Sequence, residues 1–290
     1  FSLQPDGSWS TLPAGTIRPA MAAFDLAVDA DGDLVLAGLQ YSGPPSVVMD
    51  ARDTPAAYFE QDTFGMVAVD CEGSFAVACG RARGGGLWTS TRDLSWSFDD
   101  LPLTGTNDSG FRDVDIRDGV AVACGYDDGA DTLQVILTRT AGTDWSKLNP
   151  GGPSAATYLC IAQDGAGTIY LGGMVGAGGP SPQAFLSARA PDGTWTDLDL
   201  PDAAGLHGVM DILVAADGSL YLACMGEGEY TMANLLHASP SGVLKEITPF
   251  PGGLLQVDQA ASGNIYAVGF RRDEQTGTEK GVMLVGTVVR

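Results

Sequence analysis

Positive charge is what this 290-residue chain has least of: 15 lysines and arginines stand against 36 acids, a formal charge of −21. Such a field repels nucleic-acid phosphates and anionic bilayers alike. Only short basic pairs interrupt it, Arg81 with Arg83 and Arg271 with Arg272, so nucleic acid is not an expected partner. Histidine is scarcer still, and His207 and His237 alone cannot build a His-rich metal centre. No G-x-S-x-G elbow, P-loop or H-E-x-x-H occurs, and neither a cofactor nor a resident metal is expected. Cys71, Cys79, Cys124, Cys160 and Cys224 lack CxxC spacing; they read as small buried hydrophobes rather than a disulfide framework or zinc site. No apolar run approaches the roughly 18–20 residues of a membrane helix, so membrane insertion is not expected either. The chain opens at Phe1 rather than Met, which leads us to expect that a leader, a longer N-terminal region or a tag has been removed.

What is abundant is glycine, 40 residues, with 16 prolines and no Gly-X-Y period. That composition calls for many tight turns and excludes collagen. One phrase recurs: an apolar strand, a turn built on Asp-Gly or a relative, and a second apolar strand ending in a small residue. Its six copies end at Gly38, Gly80, Gly125, Gly173, Cys224 and Gly269, at intervals of 42, 45, 48, 51 and 45 residues. A mean of about 46 is the length of one four-stranded propeller blade. The second half of each unit repeats more loosely, with an aromatic heading its outer strand, as at Trp96, Trp145 and Trp195. Residues 1–13 match the end of the fourth unit, and the C-terminus supplies a third strand without a fourth. We therefore expect an all-β fold: a six-bladed β-propeller of four-stranded antiparallel blades, closed by pairing of the N- and C-terminal strands. It forms one domain over 1–290, with blade units 24–65, 66–110, 111–156, 157–208, 209–254, and 255–290 joined by 1–23.

The tryptophan segments resemble the Asp-box, or bacterial-neuraminidase, repeat, Ser/Thr-x-Asp-x-Gly-x-Thr-Trp. The stretch from Thr138 to Trp145 keeps the hydroxyl, the glycine and the tryptophan, with Thr140 where the repeat has aspartate. The stretch from Ser2 to Trp9 displaces its aspartate to Asp6, and that from Ser90 to Trp96 is one residue short. The strand-turn-strand phrase is also similar to secreted bacterial propeller repeats. These resemblances imply an extracellular, cell-surface or periplasmic bacterial protein, in keeping with its acidity. They also imply that the functional face lies opposite the Asp-box turns. That face is then built by the loops after the second strands, at 40–46, 81–86, 126–132, 174–183, 226–232 and 271–280, and by loops entering the first strands, among them 14–22, 103–111 and 201–208.

Candidate ligand-binding residues on that face are Arg18, Arg81, Tyr126, Asp127, Glu229, Tyr230 and Arg271. Arg81 and Tyr126 directly follow their anchor glycines and should occupy equivalent places near the axis. Cationic side chains gathered at one mouth of so acidic a chain would favour a carboxylate-bearing ligand. The sialidases of the resembled superfamily use three arginines, a Tyr/Glu pair and an Asp. Ile17-Arg18-Pro19, Tyr230 beside Glu229, and Asp127 or Asp128 are the nearest counterparts, without matching spacing. No catalytic residue is assigned. The expected role is a non-catalytic binding or scaffold propeller, monomeric, that presents this face to a glycan or protein partner. The alternatives are a sialidase-like glycoside hydrolase or lyase, and a structural component of a bacterial surface or extracellular assembly. Residues 29–33, with three aspartates about a glycine, superficially suggest a calcium loop, but they coincide with the recurring hairpin turn.

Overall fold

The repeats fold as successive antiparallel meanders. The computed structural model describes residues 2–3, 9–10, 21–28, 34–40, 46–50, 57–61, 65–83, 86–91, 95–103, 108–127, 133–179, 181–201, 205–226, 233–239, 245–250, 252–260, 262–272 and 279–286. Among these residues the regular structure is entirely β. A short hairpin pairs β1 (Ser2–Leu3) with β2 (Trp9–Ser10). The first meander is β3 (Met21–Val28), β4 (Leu34–Gln40), β5 (Ser46–Asp50) and β6 (Ala57–Gln61). The second is β7 (Met66–Glu72), β8 (Phe75–Arg83), β9 (Leu87–Thr91) and β10 (Ser95–Phe98). The third is β11 (Asp108–Arg117), β12 (Val120–Asp127), β13 (Leu133–Thr140) and β14 (Ser146–Leu148). The fourth is β15 (Ala156–Gln163), β16 (Ile169–Val175), β17 (Gln183–Arg189) and β18 (Trp195–Asp197). The fifth is β19 (Leu206–Val214), β20 (Leu220–Gly226), β21 (Ala233–Ala238) and β22 (Lys245–Phe250). The last has three strands, β23 (Gly253–Gln259), β24 (Ile265–Arg272) and β25 (Glu279–Gly286). Among the described residues β25 pairs with β24 and β2 with β1; no pairing joins β2 to β25.

Turn chemistry sets the hairpins. Asp118 and Gly119 have φ of 52° and 71°, the pair of positive angles that a tight two-residue turn between twisted strands requires. The anchor glycines answer to a different need. A Cβ at Gly80, Gly125 or Gly269 would press into the backbone carbonyl of Gly65, Gly110 or Gly253 on the neighbouring first strand. At these three anchors glycine is thus a steric requirement of close backbone approach.

The first strands of successive meanders contact one another, β3 with β7, β7 with β11, and onward to β23. They therefore surround a common axis, and the core lies in the seams between meanders. Val69, Val114, Ile161, Ile212 and Val257 each pack on the meander before. All five cysteines are buried free thiols within these seams, beside alanines and valines.

Tryptophans fasten the outer parts. Trp145 is buried and donates from Nε1 to Asp99 Oδ2 at 2.8 Å, while Arg139 pairs with Asp99 Oδ1 at 2.8 Å and lies over the indole. Trp195 sits one repeat on, half-buried, donating to the Asn149 carbonyl at 3.0 Å. In both cases the indole of one meander docks on the chain leaving the meander before. The side chain of Trp9 lies outside the described residues.

Candidate functional site

Every first strand carries a residue that the ladder skips at a common depth, and β19 carries a second, His207, near its start. The register jumps between Ala23 and Asp25, Met66 and Ala68, Phe111 and Asp113, Tyr158 and Cys160, Val209 and Asp211, and Leu254 and Gln256. The residues skipped at the common depth are Phe24, Val67, Arg112, Leu159, Met210 and Leu255. Such a bulge bends the strand and re-aims its side chains, and here it does so at the same depth in each meander.

Directly below the bulges lies a ring of carboxylates. A first strand has one edge paired with the second strand and one edge facing the axis, where its N–H groups need acceptors. Asp25 supplies two. Its Oδ1 accepts from Leu26 N–H at 2.9 Å on its own strand, and its Oδ2 from Val69 N–H at 2.9 Å on the next. Asp113 repeats this with Val114 at 2.9 Å and Ile161 at 2.7 Å, and Asp211 with Ile212 at 2.8 Å and Val257 at 2.7 Å. Three carboxylates on alternate meanders thus satisfy six equivalent N–H groups. The intervening strands carry Ala68, Cys160 and Gln256 at that register. Gln256 donates from Nε2 to Asp25 Oδ1 at 2.8 Å, joining the last meander to the first. Two residues deeper, Asp70 accepts from Cys71 and Ile116 N–H, and Asp115 from Gln163 N–H.

These carboxylates wall an axial cavity of about 660 Å³, in which Asp25, Asp70, Asp113, Asp115, Asp211 and Asp258 alternate with aliphatic side chains. The cavity extends past Leu26 to Tyr266, Val268 and Met283, between the first and last meanders. Burial raises the acids' affinity for protons, reinforced by neighbouring carboxylates and offset by the N–H bonds. Asp211 is pushed up to about 7 and Asp115 to about 6, and Asp25, Asp70 and Asp113 are also raised. Among the described residues no group of three or more His, Cys, Asp or Glu side chains is arranged to hold a metal ion.

At the bulge end of the axis a second cavity, of about 390 Å³, is lined by Val67, Arg81, Arg112, Tyr126, Leu159 and Met210, among others. Sheet register brings two of the expected site residues together. Gly110 on β11 lies opposite Arg81 on one side and Tyr126 on the other. The tyrosine ring lies over Gly110, where a Cβ would fall 2.9 Å from its hydroxyl; only glycine leaves that space. Arg81 is exposed and Tyr126 half-buried.

The other expected residues fall elsewhere. Asp127 is turned inward, 1% exposed, and accepts from Ser109 Oγ and Lys147 Nζ, each at 3.4 Å. Alternation along β12 sends consecutive side chains to opposite faces, so Tyr126 and Asp127 cannot share a surface. Arg271 is exposed on β24, opposite Lys280 in the register, and does not line the cavity that holds Arg81 and Tyr126. Arg18, Glu229 and Tyr230, like the aspartate-rich turn at 29–33, lie outside the described residues. Sequence reasoning did not select Arg112 as a site residue, nor the alternate aspartates. The aspartates did leave a signal, standing 12 or 13 positions before the anchors Gly125, Gly38 and Cys224 in every second repeat.

No family model and no curated protein matches the chain. Solved structures do. One is YCF48 bound to D1 peptide, 14% identical with a TM-score of 0.56, over 87% of this chain and 76% of that one. Another is a subtype N11 neuraminidase-like protein of A/flat-faced bat/Peru/033/2010 (H18N11), 10% identical with a TM-score of 0.57, over 96% and 92%. A third is XC5397 from Xanthomonas campestris, described as a gluconolactonase, 15% identical with a TM-score of 0.53, over 86% and 83%. These neighbours are β-propellers, and the likeness at such identities is one of fold. The chain has a propeller-like all-β fold.

Proposed function

We propose that the protein is a six-bladed β-propeller, completed at its last meander by residues 1–13, that works as a non-catalytic binding module. Its partner, a glycan or a protein segment, docks at the axial mouth. One observation carries this reading: Arg81 and Tyr126, the residues after two successive anchor glycines, line a single cavity at the bulge end of the axis. A rigid set of strands holding polar and aromatic groups at such a mouth suits recognition. A structurally similar propeller described as bound to a peptide gives the fold a precedent for a protein partner.

An enzyme acting at the propeller centre is the rival reading, and the raised carboxylates of the axis are its best support. Those groups have another occupation, however. Both oxygens of Asp25, Asp113 and Asp211 accept backbone N–H groups from two strands, which is the work of a structural acceptor. The test is to screen arrays of glycans and peptides and map a hit by NMR. We expect shifts clustered around Arg81, Gly110 and Tyr126. Shifts confined to the turns at Gly73 and Gly193, or turnover of the hit, would sink the binding-module reading.

A further inference from the structure

The six residues skipped at the common depth form a collar of uneven chemistry. Five are apolar, Phe24, Val67, Leu159, Met210 and Leu255, and one is a guanidinium, Arg112. Phe24 is 46% exposed, Val67 40% and Leu255 43%, whereas the residues that follow them turn into the strands. Three exposed and two half-buried apolar side chains, Leu159 and Met210, set at one end of the axis form a surface suited to an apolar group.

Arg112 is the exception, and among the described residues it makes no ion pair, in a chain with 36 acids. Nor does it make a side-chain hydrogen bond among them. The nearest acid in sequence, Asp113, commits its two oxygens to Val114 and Ile161. Tyr126, in the same cavity, also has no hydrogen-bond partner for its hydroxyl among the described residues. A cation and a phenol thus face one cavity beside Val67, Leu159 and Met210. One residue deeper, Asp25, Asp113 and Asp211 commit both oxygens to backbone N–H groups and offer an anion no donor.

We infer that the mouth takes a carboxylate carried on an apolar group, its charge on Arg112 and Tyr126 and its apolar part against the collar. This rests on the binding-module reading above and adds the class of ligand. The carboxylate can belong to a free organic acid or to the C-terminus of a protein chain, since Arg112 reads only the charge and its neighbours only the apolar surface.

Four probes test it by NMR titration: acetate, hexanoate, hexanamide, and a leucine-ending tripeptide with its C-terminus free or amidated. Hexanoate should bind at least about tenfold more tightly than acetate, because part of its chain leaves water. Hexanamide and the amidated peptide should bind at least about tenfold more weakly than their charged counterparts. Arg112→Gln should remove that preference without changing the melting temperature, and Val67→Ser should remove the chain-length dependence. A free peptide that binds while hexanoate does not assigns the site to protein termini; the reverse assigns it to free acids. Equal binding of acetate and hexanoate, or an Arg112→Gln variant that keeps the charge preference, overturns the collar inference. Shifts at Arg81 and Tyr126 with no chain-length dependence overturn the collar alone, whereas shifts away from the mouth overturn the binding-module reading as well.

Discussion

Val257 and Leu26 hold the same register on the first strands of the last and the first meander, yet Val257 is 6% exposed and Leu26 56%. The difference lies in what each one meets. Val257 packs with Leu254, Ala223 and Leu235 in the seam between the fifth and last meanders. Leu26 faces the seam between the last meander and the first. There Val28, Val268 and Val285 are exposed as well, and the axial cavity reaches in between. Five seams hold buried clusters. Among the described side chains, the sixth is marked by the bond from Gln256 to Asp25. Equivalent residues in a repeat therefore need not have equivalent energetics; burial depends on the neighbouring meander as much as on the residue.

Closure is the largest lever on this contrast. If residues 1–13 complete the last meander, deleting them leaves the open seam and the edge of β25 without cover. Chemical denaturation followed by two probes should then give non-coincident transitions, or the protein should aggregate. An unchanged, cooperative transition would show that these residues do not close the disc. Next come matched truncations. Leu222→Ala, in the packed seam between the fourth and fifth meanders, should cost about 2–5 kcal/mol. Leu26→Ala should cost less than about 1 kcal/mol by the same urea titration. Equal costs would mean that the two seams are packed alike in solution.

Proton uptake by the axial ring should be the smallest effect. Asp211 and Asp115 bind protons more tightly in the fold than in the unfolded chain, near 7 and 6 against 3.8. The folded state therefore takes up protons first, and stability rises as the pH falls through that window and is lost as it rises again. Exposed Asp192 and Asp217 are shifted the other way and weaken the fold only below the ordinary carboxylate range. The melting temperature should be a few degrees higher at pH 5 than at pH 8. A flat profile, or a fall over this range, would count against proton uptake by the ring.

Much of the propeller-like architecture was legible because strand, turn and anchor recur at a nearly constant spacing. Gly80 and Gly125 could be found from that period, although their purpose, clearance for a facing carbonyl, is a matter of strand approach that no spacing reveals. The site was legible in part. Arg81 and Tyr126 fell together because both follow an anchor in register. Asp127 shared Tyr126's position in the sequence and not its face, since adjacent strand residues point oppositely. Arg112 went unselected because a bulge breaks the alternation that sequence reading relies on, and nothing in the residues alone announces where the ladder will skip.

The carboxylate ring also fixes how such a chain can grow. Asp25, Asp113 and Asp211 follow one another at 88 and 98 residues, two repeats apart, and each serves its own strand and the next. In the closed ring proposed above, that arrangement has a parity. Inserting or excising a single repeat would bring two acid-bearing strands side by side, or leave one strand whose inward amide finds no acceptor. Adding or removing repeats in pairs keeps the alternation intact. In such a ring the unit that can be added or removed is therefore the double repeat, even though each meander is built from a single one.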